Sequence, residues 1–310
     1  MKGRGVNKRL ASALTLLLVA VIWGSAFTAQ SKGTEYVGAF TYNCSRSVLG
    51  AAALLPVIGV MTAVRHKNKP SGTAVSKKAT VIGGLICGLV LCGASALQQI
   101  GISMTTAGKA GFITALYIVI VPILGIFLHR RVPRIVWLCV VTAAAGFYLL
   151  SVKEGFSGGR GDLLVLGCAV MFSVHIMVID RFMGQGADGV VMSCIQFAVT
   201  AVISGVLMFA FESPSAAAIY EARYAILYAG VLSSGVGYTL QIIAQKHADP
   251  TAAALIMSLE SVFAAISGWL ILGERLSGRE LAGCGSVLAA VIAAQAAGGE
   301  KAENNNISAS

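Results

Sequence analysis

Apolar residues in this chain come in long unbroken runs, without the alternation of a half-buried strand or the narrow stripe of a soluble amphipathic helix. Ten runs stand out: Leu10–Gln30, Ala39–Met61, Val81–Gln99, Gly108–Leu128, Ile135–Ser151, Leu163–Asp180, Gly189–Phe211, Tyr224–Ala244, Thr251–Leu272 and Leu281–Ala297. A helix needs ~20 apolar residues to cross ~30 Å of hydrocarbon, so each run predicts a transmembrane helix. A membrane β-barrel would alternate along each strand, and these runs do not. The predicted fold is an all-α integral membrane protein of ten transmembrane helices. Spans of ~20 residues leave only short loops and tails, without room for a soluble catalytic domain. The basic stretch before Leu10 resembles a signal-peptide n-region. The run that follows is longer than a typical h-region and nine more come after it, which predicts an uncleaved first helix.

Composition supports the pattern. Of the 310 residues, 56% are hydrophobic and 12% charged, against about a quarter charged in a soluble domain. Disorder, collagen and a disulfide-stapled secreted module are excluded on the same ground. The seven cysteines (Cys44, Cys87, Cys92, Cys139, Cys168, Cys194 and Cys284) all fall inside spans. An odd number without a CxxC pair predicts neither disulfide framework nor metal site, but small packing residues.

The net charge of +10, from 23 Lys and Arg against 13 Asp and Glu, acts as a topology signal. With the N-terminus in the cytoplasm, Lys2, Arg4, Lys8, Arg9, the basic 65–78 segment and Arg130, Arg131 and Arg134 all fall inside. Through the same five spans only Lys32 and Lys109 fall outside. This asymmetry follows the positive-inside rule and predicts a multi-pass cell-membrane protein with both termini cytoplasmic. Scattering of the basic residues among short loops, with no aromatic interleaving, argues against nucleic acid as a partner. Arg160-Gly161-Asp162 resembles an adhesion tripeptide but reads as a polar loop leading into the sixth span.

The chain divides at the Gly-rich polar stretch Lys153–Arg160 into two sets of five spans, 10–151 and 161–297, followed by a polar tail, 298–310. In each half a long fourth span, a charged turn (Arg130-Arg131; Glu274-Arg275) and a short Ala/Gly-containing fifth span recur. Five spans per half place the second half upside down relative to the first. Inverted repeats of this kind typify secondary transporters, with substrate bound near the midplane between the halves.

Several stretches resemble the EamA family of the drug/metabolite transporter superfamily. They are Trp23-Gly24-Ser-Ala-Phe-Thr-Ala-Gln30, Leu97 through Tyr117 and on to Pro122, Gly161-Asp-Leu-Leu163, and Ser258-Leu-Glu-Ser-Val-Phe263 followed by Gly273-Glu-Arg-Leu276. The resemblance covers Leu10 to Gln295. The chain departs from the family pattern at Ser261, where proline is frequent, and at His129-Arg130-Arg131. What the resemblance implies is a ten-helix exporter or importer of small metabolites, working by alternating access through a central cavity. It also draws Tyr117 and the polar entrance around Lys109 into the candidate site.

Polar groups within the spans are the candidate chemistry, because a charge in hydrocarbon costs ~2.5–3.5 kcal/mol on insertion scales. Glu260 lies nine residues into its span, ~13 Å deep at 1.5 Å per residue. It reads as a gate, substrate contact or proton site, or as a carboxyl that hydrogen-bonds a neighbouring helix. Arg46 reads as a partner for an anionic substrate group or for Glu260, or as a snorkelling side chain. Lys109, one residue inside its span, reads first as snorkelling. His175 reads as a hydrogen-bonded core histidine or as a proton relay. Gln98 and Gln99 end the third span. Ser234, Tyr238 and Gln241, spaced i, i+4, i+7, share one helix face that lines either a cavity or a helix contact. Trp23 reads as cavity lining, or as an interface anchor if the first span is shifted.

A membrane-embedded enzyme would need a catalytic constellation, and no HExxH, GxSxG or Cys/His cluster is present. No P-loop points to ATP. A non-enzymatic membrane partner or sensor is the remaining alternative. The expectation is therefore a secondary transporter of a small metabolite, an amino acid or related compound among the classes considered, with export the expected direction. It needs no cofactor or metal. Proton or ion coupling and the choice between monomer and homodimer stay open.

Overall fold

The computed structural model of the chain describes residues 2–67, 75–105, 107–129, 132–151, 159–272 and 277–307. These are helical apart from short connections. The helices are α1 (Lys2–Gly33), α2 (Ala39–Lys67), α3 (Lys77–Ile102), α4 (Ala107–Ala115), α5 (Tyr117–Phe127), α6 (Arg134–Ser151), α7 (Arg160–Gly184) and α8 (Gly189–Phe211). Then follow α9 (Ala216–Glu221), α10 (Arg223–Leu227), a π-helical stretch (Tyr228–Tyr238), α11 (Thr239–Gln245), α12 (Pro250–Met257), α13 (Glu260–Leu272) and α14 (Gly278–Ile307).

Eight segments are long and apolar enough to cross a membrane: Lys8–Gly33, Ala39–Val64, Lys77–Ile102, Ala107–Phe127, Arg160–Gly184, Gly189–Phe211, Arg223–Gln245 and Pro250–Ile271. The two other runs read as spans, Ile135–Ser151 and Leu281–Ala297, are helical in α6 and α14. Their apolar stretches, Arg134–Gly146 and Leu281–Ala294, are shorter than those of the eight. At 1.5 Å per residue neither alone reaches ~30 Å. Arg160-Gly161-Asp162 is not a loop but the first turn of α7. The Arg130-Arg131 turn, Gly273–Leu276 and residues 152–158 lie outside the described residues.

The molecule is apolar outside and polar inside. Phe127, Val202, Phe209 and Leu270 are exposed, whereas Gln98, Gln99, Asn43, Ser173, Gln196 and Glu260 are buried. In water this would be untenable; against lipid tails it is the stable arrangement, since polar groups must face protein or a cavity. The main core joins Leu16, Val19 and Phe27 of α1 to Ile113, Ile118, Leu255 and Met257.

Turns at the two ends of the bundle are tied together. At one end Ser12 Oγ donates to the Ala244 carbonyl at 2.7 Å, Ser76 N–H to the Gly186 carbonyl at 3.0 Å and Asp188 N–H to Thr80 Oγ1 at 2.9 Å. At the other end Glu212, just past α8, accepts the Phe40 and Thr41 amides of α2 at 2.8 Å each. It thereby satisfies two of the orphan donors that every helix start leaves. Gln99 Nε2 donates to the Gln30 carbonyl at this same end, at 3.2 Å. Gly84 and Gly88 let α3 approach α8: a methyl on either would press on Ile195 or Val199 and on backbone carbonyls. This is the small-residue packing that membrane helices favour.

Candidate functional site

Two of the spans are broken, and in the same way. The first changes from α4 to α5 at Leu116, where Leu116 N–H reaches back to the Ile113 carbonyl and Val119 N–H to that of Leu116, both three-residue bonds. The second changes from α12 to α13 at Ser258-Leu259, where Leu259 N–H reaches the Ile256 carbonyl and Ser261 N–H that of Ser258. Tightening to three-residue bonds resets the helix phase. Tyr117 opens α5 ten residues after Ala107, and Glu260 opens α13 ten residues after Pro250.

Both residues line one central cavity. Its wall also includes Trp23, Phe27 and Gln30 of α1, Arg46 of α2, Gln98 of α3, Thr114 of α4, Phe172 of α7, Ser233 and Tyr238 of the π stretch, and Gln241 of α11. Two ionisable groups, one basic and one acidic, are therefore buried on one space, Arg46 at 4% and Glu260 at 3% exposed. Among the described residues no ion pair joins them. Arg46 instead lies over the Tyr42 ring, 5.9 Å from its centre, and makes a long hydrogen bond, 3.5 Å, to Gln30 Oε1. The Tyr117 hydroxyl and the Glu260 carboxyl face each other, yet Glu260 Oε1, the Tyr117 hydroxyl and Gln241 Oε1 are buried and none makes a hydrogen bond of ordinary geometry among the described residues. Such groups are costly unless something satisfies them, so the cavity is built to receive polar atoms.

The apolar side of the cavity is aromatic. Trp23 and Tyr238 rings lie 4.6 Å apart, and Trp23 Nε1 donates to the Ser233 carbonyl at 3.3 Å. Gly237 makes room for this: a methyl there would lie 2.7 Å from Trp23 Nε1. Gly24 does the same for the carboxylate helix, since a methyl on it would lie 2.6 Å from the Glu260 carbonyl oxygen and 2.9 Å from Ala264 N. The cavity measures about 30 Å³, space for roughly two waters. A metabolite enters only if its walls part.

Of the residues singled out from sequence, Glu260, Arg46, Trp23, Gln98, Tyr117, Tyr238 and Gln241 meet on this cavity. Four do not. Gln99 borders a separate cleft of about 410 Å³ with Thr34, Ser103 and Glu212. His175 stands behind Tyr238, rings 5.9 Å apart, with Nε2 3.0 Å from Gln196 Oε1. Ser234 turns toward Gly50 of α2, because the π stretch replaces the i, i+4 repeat with i, i+5; Ser233, not Ser234, shares the cavity with Tyr238. Lys109 does not snorkel. It pairs with Asp162 at 2.6 Å, the two side chains only 15% and 5% exposed. Gln30, Thr114 and Asp162 are not among the candidates, and Ser233 is passed over for Ser234 because it falls off the i, i+4, i+7 face. Gln30 only closes its run, Thr114 carries little signal beyond its type, and Asp162 reads from sequence as part of a loop.

An apolar exterior, at least eight spans and a polar central cavity at two helix breaks describe a multi-pass membrane protein of the transporter type. The EamA-like transporter family matches residues 10–152 and 159–294, and the chain belongs to that family. It is 29% identical over 290 residues to a transporter of Archaeoglobus fulgidus of uncharacterized function, covering 92% of this chain and 86% of that one. It is 23% identical over 270 residues to the uncharacterized transporter YoaV of Bacillus subtilis, covering 85% and 89%. Over 174 residues it is 28% identical to the threonine/homoserine exporter RhtA of Salmonella typhimurium, 54% of this chain and 56% of RhtA. A solved crystal structure shares the fold at TM-score 0.73 and 18% identity, covering 92% of this chain and 96% of that one.

Proposed function

We propose that this protein is a secondary transporter that exports a small zwitterionic metabolite, an amino acid or close relative, by alternating access between two inverted five-helix halves. In this reading α6 and α14 complete the ten spans, and the halves are 10–151 and 161–297. The helix packing supports the pairing. Exchanging each element of the first half for its counterpart in the second turns α1 against α12 and α13 into α7 against α4 and α5. It turns α2 against the π stretch into α3 against α8, and leaves α2 with α8 and α6 with α14 unchanged. The observation that carries the proposal is the placement of Tyr117 and Glu260 at matching helix breaks on one cavity, the arrangement in which inverted-repeat transporters bind substrate.

The cavity's chemistry supports the substrate class. Arg46 offers a charge to a carboxylate. Glu260 Oε1 and Gln241 Oε1 need donors, which an ammonium group supplies. Trp23 and Tyr238 face the remainder. The similarity to RhtA over part of the chain points the same way. Glu260 is the group assigned to proton coupling, and both termini are placed in the cytoplasm. Uptake of labelled amino acids into proteoliposomes, with and without a pH gradient, tests the proposal. Glu260→Gln should leave folded protein in the bilayer and abolish or uncouple transport. Wild-type rates for the variant at every pH would sink the role given to Glu260.

A further inference from the structure

We propose that the Lys109–Asp162 ion pair is a latch that holds one end of the cavity shut and must open in each transport cycle. The inference rests on the alternating-access reading.

The post of the latch is fixed. Asp162 sits in the first turn of α7, beside Gly161. There α7 and α3 touch backbone to backbone: a methyl on Gly161 would lie 2.8 Å from Met104 Cβ and 3.1 Å from the Gly101 carbonyl, and one on Gly101 would lie 3.0 Å from the Gly161 carbonyl. Thr105 Oγ1 donates to Asp162 Oδ1 at 3.1 Å, so the same carboxylate also secures the turn between α3 and α4.

The bolt is on a short helix with a break at its end, tied to α13 at Gly111, whose carbonyl accepts Ser261 Oγ at 2.9 Å, and free of close packing at Gly108. Lys109 belongs to α4, a half-helix of 9 residues that ends at the break before Tyr117. The methyl position of its Gly108 opens on empty space, and that of Gly111 makes only ordinary contacts at 3.7–3.8 Å. Rotation of α4 about Leu116 would swing Lys109 and the start of α4 away from α7 and widen the space between Thr114 of α4 and Phe172 of α7, both of which line the cavity. Lys109 and Asp162 come from opposite halves of the chain, so their bond reports whether those halves are together at this end.

Burial makes the pair a switch rather than a brace. At 15% and 5% exposure the two charges face each other and little water, with Thr105 a further donor to Asp162. Separated, both must be hydrated, so the open state must flood this end. Removing one partner takes away the opposite charge that the other faces in the closed state, which shifts the equilibrium toward opening. The corresponding contact in the second half, between α1 and the turn before α12, is of another kind. Ser12 Oγ holds the Ala244 carbonyl, and Asp249 spends its carboxylate on the Thr251 amide. Among the described residues the ion pair therefore marks one end and not the other.

The test is labelling of a cavity cysteine, Phe172→Cys in a chain whose own cysteines are replaced, by a membrane-impermeant maleimide from each side in turn. Lys109→Gln and Asp162→Asn should each raise labelling from the latch side at least about tenfold and lower it from the opposite side. The charge swap Lys109→Asp with Asp162→Lys should restore the wild-type ratio, an outcome that general loss of packing would not give. A mixture of the standard L-amino acids that shifts the ratio in the parent chain while the charge variants leave it unchanged would overturn the latch alone. A ratio that neither this mixture nor any variant shifts would overturn alternating access as well.

Discussion

The α4–α5 and α12–α13 breaks are built to the same plan and filled with different chemistry. Each comes ten residues after the start of its span, and each turns the first residue of the new helix onto the cavity. One supplies the Tyr117 hydroxyl and the other the Glu260 carboxylate. Surroundings differ as well. The Glu260 break is clamped by Gly24 at backbone contact, whereas Gly111 beside the Tyr117 break has room. The α4 start is tied to the other half by an ion pair, and the α12 start caps itself through Asp249. The shared geometry is what the proposed substrate site rests on, and the unshared chemistry is what the proposed division of labour rests on: the Glu260 break holding its carboxyl in place, the Tyr117 break moving.

That contrast can be broken in stages. The largest effect belongs to the charge. Glu260→Gln should cut coupled transport at least about tenfold in proteoliposomes, with thermal stability nearly unchanged. A smaller but still large effect comes from the clamp. Gly24→Ala presses a methyl onto backbone that cannot yield, costing about 1–3 kcal/mol, whereas Gly111→Ala should cost little. Thermal melting of the two purified variants compares them directly, and equal losses would erase the proposed difference in rigidity. Tyr117→Phe removes one hydroxyl, worth about 0.5–1.5 kcal/mol, and should raise KM a few fold with little change in kcat. Smallest for transport is Asp249→Ala. Loss of the cap should lower stability by about 0.5–2 kcal/mol and leave KM alone.

Much of this was legible in the sequence, for physical reasons. Length and hydrophobicity determine whether a run can cross a bilayer, and eight of the ten runs satisfy that test in the structure. A carboxylate at mid-span is conspicuous in any sequence, and Glu260 stands on the cavity. What escaped depends on helix phase and on distant partners. The π stretch shifts the lining from Ser234 to Ser233, and no residue type announces a change from i+4 to i+5. The breaks at Leu116 and Ser258 contain no proline or glycine at the joint itself. Lys109 looked like a snorkelling lysine because its partner lies 53 residues away at Asp162, in a segment that reads as a polar loop. Gly24 was quoted as part of a family motif, but only the packed structure gives its reason, the approach of α1 to the Glu260 carbonyl.

The account's central claim is that the two broken spans run in opposite directions across the membrane and enclose one substrate site. Two-sided cysteine labelling tests it most directly, with single cysteines at His129, after α5, and at Ser277, before α14, in a cysteine-replaced chain that still transports. The account predicts that an impermeant maleimide reaches His129→Cys only from the cytoplasmic side and Ser277→Cys only from the opposite side. Labelling of both positions from the same side would contradict it.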